Sequence, residues 1–255
     1  NKGMARNARG QQTRRLGVAA VLACIPLTVA QVPVTAPSLL LVAGISGLWM
    51  LTYPLLYHLT HRKSSPDYEN YMDIDFGLYL FGGLSGLLAL LAAFLPSSRI
   101  VSTLVATAEV VLVFIPLFQI IYYLTYRVCI DSTGMKTIQE TDRNEIIEFF
   151  RSFAWWQNLA AVVPVVAAMA GVCFVNFAYP VPAPAFGRLE NAEAWVRLAI
   201  VGGLTIFLLV YTWKSHHGVF GRTGIATLYA DVKEYIEGYR HYAASTEKRV
   251  STLEA

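Results

Sequence analysis

The sequence predicts an all-α fold: a polytopic integral membrane helical bundle of about six transmembrane helices, with amphipathic helices on its inner face. Three observations predict it. Of 255 residues, 55% are hydrophobic and only 15% charged, and the mean hydropathy is +0.47. Soluble domains carry about 25% charge, and disorder requires low hydrophobicity with high net charge. The apolar residues fall in runs of bilayer-crossing length, and Lys and Arg divide very unequally between the loops on the two sides of these runs. The net charge of +3 and pI of about 8.7 are mild. No basic face interleaved with aromatics accompanies them, so no nucleic-acid partner is expected.

A helix needs about 20 residues to cross roughly 30 Å of hydrocarbon. Six segments qualify in turn: Leu16 to Val32, Ser38 to Leu59, Phe76 to Leu95, Ile100 to Tyr126, Phe153 to Ala178 and Ala194 to Trp213. The first is marginal in length. Arg14 and Arg15 precede it and it closes on Thr28-Val29-Ala30, so a secretory signal peptide is its alternative reading. With the first segment taken as a span, residues 1–15 form a basic tail, 16–217 the membrane domain and 218–255 an amphipathic C-terminal tail helix. The connector from Tyr179 to Gly187 is proline-rich and favours extended backbone. An amphipathic helix is expected over about 131–151, and another from Ala226 to Leu253.

With six crossings, 17 of the 20 basic residues fall on one side and only Arg99, Arg188 and Arg197 on the other. The positive-inside rule then puts both termini inside, in a mitochondrial or bacterial inner membrane.

Glu109 reads as the one acidic residue deep in a span. An ionisable group there is costly, and flags either a proton or ion relay or a carboxyl hydrogen-bonded to a neighbouring helix. On the inner-face helix, Thr137, Thr141 and Glu145 recur at i, i+4 and share one face, beside an apolar flank suited to lying in the interface. Basic and aromatic residues gather at two inner boundaries: Arg151, Trp155 and Trp156 at one, Trp213, Lys214 and Arg222 at the other. Such clusters form aromatic belts and can hold anionic lipid. Cys24, Cys129 and Cys173 have no C-x-x-C spacing and read as small buried hydrophobes. His58, His61, His216 and His217 sit at span ends rather than within facing helices, so no metal site is expected. Gly82-x-x-x-Gly86 allows close helix approach, and Pro26, Pro54, Pro116 and Pro164 each free a backbone carbonyl inside a span.

The stretch Glu140-Thr-Asp-x-Asn-Glu-x-x-Glu-Phe149, with Tyr122-Tyr-x-x-Tyr126 before it, resembles a loop in the membrane region of bacterial phosphoethanolamine transferases. The likeness spans about residues 117–176. It implies an extracytoplasmic loop beside a zinc-dependent catalytic domain. Arg127, Lys136, Arg143 and Arg151 instead place this loop inside, and no Asp/His metal cluster follows it.

The expected function is therefore that of a non-catalytic, accessory or structural subunit of a larger membrane complex, with a respiratory or ATP synthase type assembly as host. Its partners would be other membrane subunits and anionic lipids. No cofactor is expected beyond a bound phospholipid such as cardiolipin. The alternatives are a small transporter or channel using Glu109, and the membrane region of a phosphoethanolamine transferase-like enzyme.

Overall fold

The structure is a computed structural model that describes residues 2–31, 36–60, 72–95, 99–131, 134, 136–137, 141–152, 154–179, 192–213 and 219–253. Among these residues the regular elements are all helical. They are α1 (Lys2–Ala30), α2 (Pro37–Thr60), α3 (Asp73–Phe94), α4 (Arg99–Tyr126), α5 (Arg143–Ser152), α6 (Trp155–Ala178), α7 (Ala192–Trp213), a 3-10 turn (Phe220–Arg222) and α8 (Gly224–Leu253).

Five of these, α2, α3, α4, α6 and α7, hold stretches long and apolar enough to cross a membrane. The expected first span is the second half of α1, a single helix that also takes in the basic tail. From Leu16 to Ala30 it covers only about 22 Å at 1.5 Å per residue, so the described residues yield five full-length spans and not six.

α3 is the axis of the bundle, packed by α1, α2 and α7. Its glycines make this possible. A Cβ on Gly82 would lie 2.6 Å from the Ala23 Cα of α1, and one on Gly86 would collide with the Thr205 Oγ1 of α7. The small-x-x-x-small pattern is thus an internal contact, met from α1 by Ala19 and Ala23, both buried. Arg15 lies beside Asp75, Ala23 beside Gly82 and Pro26 beside Gly86. Both series rise together, so α1 and α3 run parallel and in register. Gly82 also meets Leu208 and Tyr79 meets Tyr211, so α7 runs antiparallel to them.

α4 and α6 form a second layer. α4 joins the first layer through α2, and α6 packs mainly along α4, with a small contact to α2. Burial follows this order: 61% of the apolar stretch of α3 is buried, but only 11% of that of α6.

The helices continue through all four span prolines. At Pro116 the freed acceptor is visible. Proline has no N–H to give the carbonyl four residues back, that of Leu112, and the buried Trp49 indole N–H of α2 donates to this carbonyl at 2.9 Å. Trp49 then opens an aromatic collar at the end of the bundle where α3 begins. Its ring meets Phe76 at 4.6 Å, and Trp213 and Phe220 complete the group, 4.8 Å from each other. α1 and α4 each end on a residue with positive φ, Gln31 at 52° and Arg127 at 60°. This is the left-handed geometry that closes helices, and the Arg127 N–H returns to the Tyr123 carbonyl at 2.7 Å.

Candidate functional site

Glu109 lies in the seam between α4 and α6. The buried face of α4 (Ala106, Glu109, Leu112, Val113, Pro116, Gln119) follows helical spacing, which turns the carboxyl inward. Asn176, one turn from the end of α6, donates to Glu109 Oε2 at 2.5 Å and to the Val172 carbonyl at 3.0 Å. Both side chains are buried. The pair is therefore closed within the seam, and acts as polar glue between two antiparallel helices. Gln119 is buried further along the same face, and its Oε1 accepts no hydrogen bond among the described residues.

Glu109 is not the one buried acid. α3 begins at Asp73, three residues before the expected span, and its first turn buries both Asp73 and Asp75 at 1% exposure. Asp75 Oδ2 faces the Arg15 guanidinium of α1 at 2.7 Å, with Tyr79 one turn on and Tyr211 against that ring. Asp73, i−2 and so on the other side of the helix, accepts from the Gly224 N–H at 3.1 and 3.4 Å. A carboxylate at two helix N-termini meets the positive ends of both dipoles. The Met72 N–H donates to the Arg222 carbonyl at 3.0 Å, and the Arg222 guanidinium reaches the Met72 sulfur at 3.9 Å.

These acids were hidden in the sequence because Met72 to Phe76 reads as the end of a polar loop. The available signal was helical. Asp residues favour a first turn, and Asp75, Tyr79 and Gly82 continue the face of the span.

Within the range of the helix expected over 131–151, residues 134, 136 and 137 are helical, and helix resumes as α5, from Arg143 to Ser152, with non-helical Thr141 and Asp142 before it. The reason is a reciprocal cap. Asp142 Oδ1 accepts from the Asn144 and Glu145 N–H groups at 2.7 and 2.9 Å, and Glu145 Oε2 accepts from the Asp142 N–H at 3.3 Å. Thr141 folds back separately, its hydroxyl donating to the Thr137 carbonyl at 2.6 Å. Thr137, Thr141 and Glu145 are thus not one continuous helix face, because Glu145 is turned to its own cap.

The two expected lipid clusters fare differently. Arg151, Trp155 and Trp156 are all exposed, Trp155 at 75%. Trp213 packs against Phe76 and Phe220 and keeps 45% exposure. Arg222 is exposed beside Met72, and Lys214 lies outside the described residues. So do His61, His216 and His217, whereas His58 is exposed in the last turn of α2.

Among the described residues no three His, Cys, Asp or Glu side chains converge on a metal position. Cys129 is buried beneath Tyr53 and Leu56, with Leu228 of α8 against the group. Its N–H donates to the Thr60 hydroxyl at 2.8 Å. Burial pushes its thiol up to about 12, from an ordinary 9.0.

No family model, curated protein or solved structure matches this chain. The likeness to phosphoethanolamine transferases therefore rests on the quoted motif residues, two of which, Asp142 and Glu145, are engaged in capping α5.

Proposed function

We propose that this chain is a non-catalytic integral membrane subunit of a larger membrane assembly, in a bacterial or mitochondrial inner membrane. The observation that carries the reading is α6. Its stretch from Leu159 to Ala178 is apolar enough to cross a membrane, yet only 11% of it is buried, and among the described residues α4 is its one extensive neighbour. A membrane helix is held by packing and polar contacts with other helices, since lipid supplies no hydrophobic drive. Val162, Val166 and Phe174 of α6 point away from the bundle, and a neighbouring subunit would give this helix its second wall.

The same reading takes α1 as a sixth crossing, with both termini inside. Its parallel register with α3 supports this, as does the 17 to 3 distribution of basic residues. Arg151, Trp155 and Trp156, exposed together where α5 meets α6, suit the headgroup layer and an anionic lipid such as cardiolipin.

The test is extraction of the native membrane in mild detergent, followed by a native gel and identification of what migrates with the chain. The expected result is migration within a defined larger complex. Migration alone would overturn the reading and turn attention to transport. In that case Glu109→Gln would be assayed for loss of flux in liposomes.

A further inference from the structure

We propose that α8 is a releasable latch, held against the bundle at its first turn by the buried Asp73 carboxylate, and that its release uncovers Cys129. The attachment is concentrated in one place. Asp73 is fully buried and accepts the Gly224 N–H, the first of α8. Among the described residues no basic side chain pairs with it; what faces it is the N-terminal end of two helices, α3 and α8. Gly224 itself sits under the Tyr53 ring, where a Cβ would have no room.

Past this turn the hold is thin. Among the described residues, α8 packs extensively against no other helix. Leu228 packs against the Tyr53–Leu56–Cys129 group, Val232 meets Ile130, and the Lys136 ammonium lies 4.5 Å from the centre of the Tyr235 ring, while Tyr229, Asp231, Lys233 and Glu234 face outward. A helix docked through one hydrogen bond to a buried carboxyl group, a few apolar side chains and one cation–π contact has a docked and a released state, and the Asp73 bond biases them. Cys129 reports which state is occupied, because it is buried in one group with Tyr53 and Leu56, and Leu228 of α8 packs against that group.

The test uses the full chain in lipid nanodiscs. The Cys24→Ser/Cys173→Ser background leaves Cys129 as the one thiol. Maleimide labelling is timed, with hydrogen exchange followed in parallel. Asp73→Ala is expected to speed labelling about tenfold or more, the equivalent of one charge-assisted hydrogen bond, while α2 to α4 keep their exchange protection. Asp231→Ala, an exposed charge on the same helix, should change the rate less than about twofold. Equal acceleration by both variants, no acceleration by Asp73→Ala, or loss of protection throughout the bundle would each overturn the proposal. If Asp73→Ala does not fold, Gly224→Ala displaces α8 without touching the carboxylate. Faster labelling with the bundle protected then supports the latch, and an unchanged rate or a general loosening refutes it.

Discussion

Trp49→Phe removes the donor that satisfies a proline-freed carbonyl, and its cost can be worked out. Trp49 is 2% exposed and its indole N–H meets the Leu112 carbonyl at 2.9 Å. The Leu112 carbonyl lacks its helical partner because residue 116 is proline. Leaving a buried acceptor unpaired costs about 1–3 kcal/mol. The smaller ring also loses part of its edge contacts with Phe76 and Phe220, about 1 kcal/mol more. Trp49→Phe should therefore destabilise by about 3 kcal/mol in total.

Pro116→Ala supplies an N–H to the same carbonyl. On that background the acceptor no longer depends on Trp49, and only the ring term of about 1 kcal/mol should remain. The assay is a double-mutant cycle of reversible unfolding in mixed detergent micelles, with an expected coupling of about 2 kcal/mol. A coupling within about 0.5 kcal/mol of zero would show that Trp49 does not serve as the surrogate donor, and the reasoning would fail.

Three further outcomes are expected. Gly82→Ala should destabilise by about 1–3 kcal/mol by forcing α1 off α3, whereas Gly44→Ala, whose Cβ meets open space, should be neutral or stabilising; equal effects in the same unfolding assay would refute the α1–α3 contact. Arg15→Met should cost about 2 kcal/mol, because it strands the buried Asp75 charge while Arg15 itself is partly solvated. Adding Asp75→Asn should recover most of this loss, and no recovery would show that the pair is not coupled. The Cys129 thiol holds its proton more tightly in the fold than in the unfolded chain. The folded state thus keeps a proton that the unfolded state loses, and this share of stability is full below pH 9.0 and declines as pH rises toward about 12. Unfolding at pH 8 and 11 should show a larger loss for wild type than for Cys129→Ala.

The helical class and the placement of five long apolar helices were legible from the sequence, because lipid leaves a chain few ways to satisfy its backbone and long apolar runs announce themselves without tertiary help. Gly82 and Gly86 were legible as a close-packing face, and Glu109 as a buried acid. What they touch was not. Asn176 lies 67 positions from Glu109, and helical periodicity says which face of α4 turns inward but not which residue of α6 meets it. The extent of α3 was lost for a related reason. Asp73 and Asp75 look like loop residues until Gly224, Arg15 and the two helix N-termini surround them, and those partners lie about 60 to 150 positions away. Charge pattern and hydropathy are local sums along the chain, so they determined the membrane class and the side bias. Pairing of buried polar groups is a property of packed surfaces, and only the tertiary structure decided it.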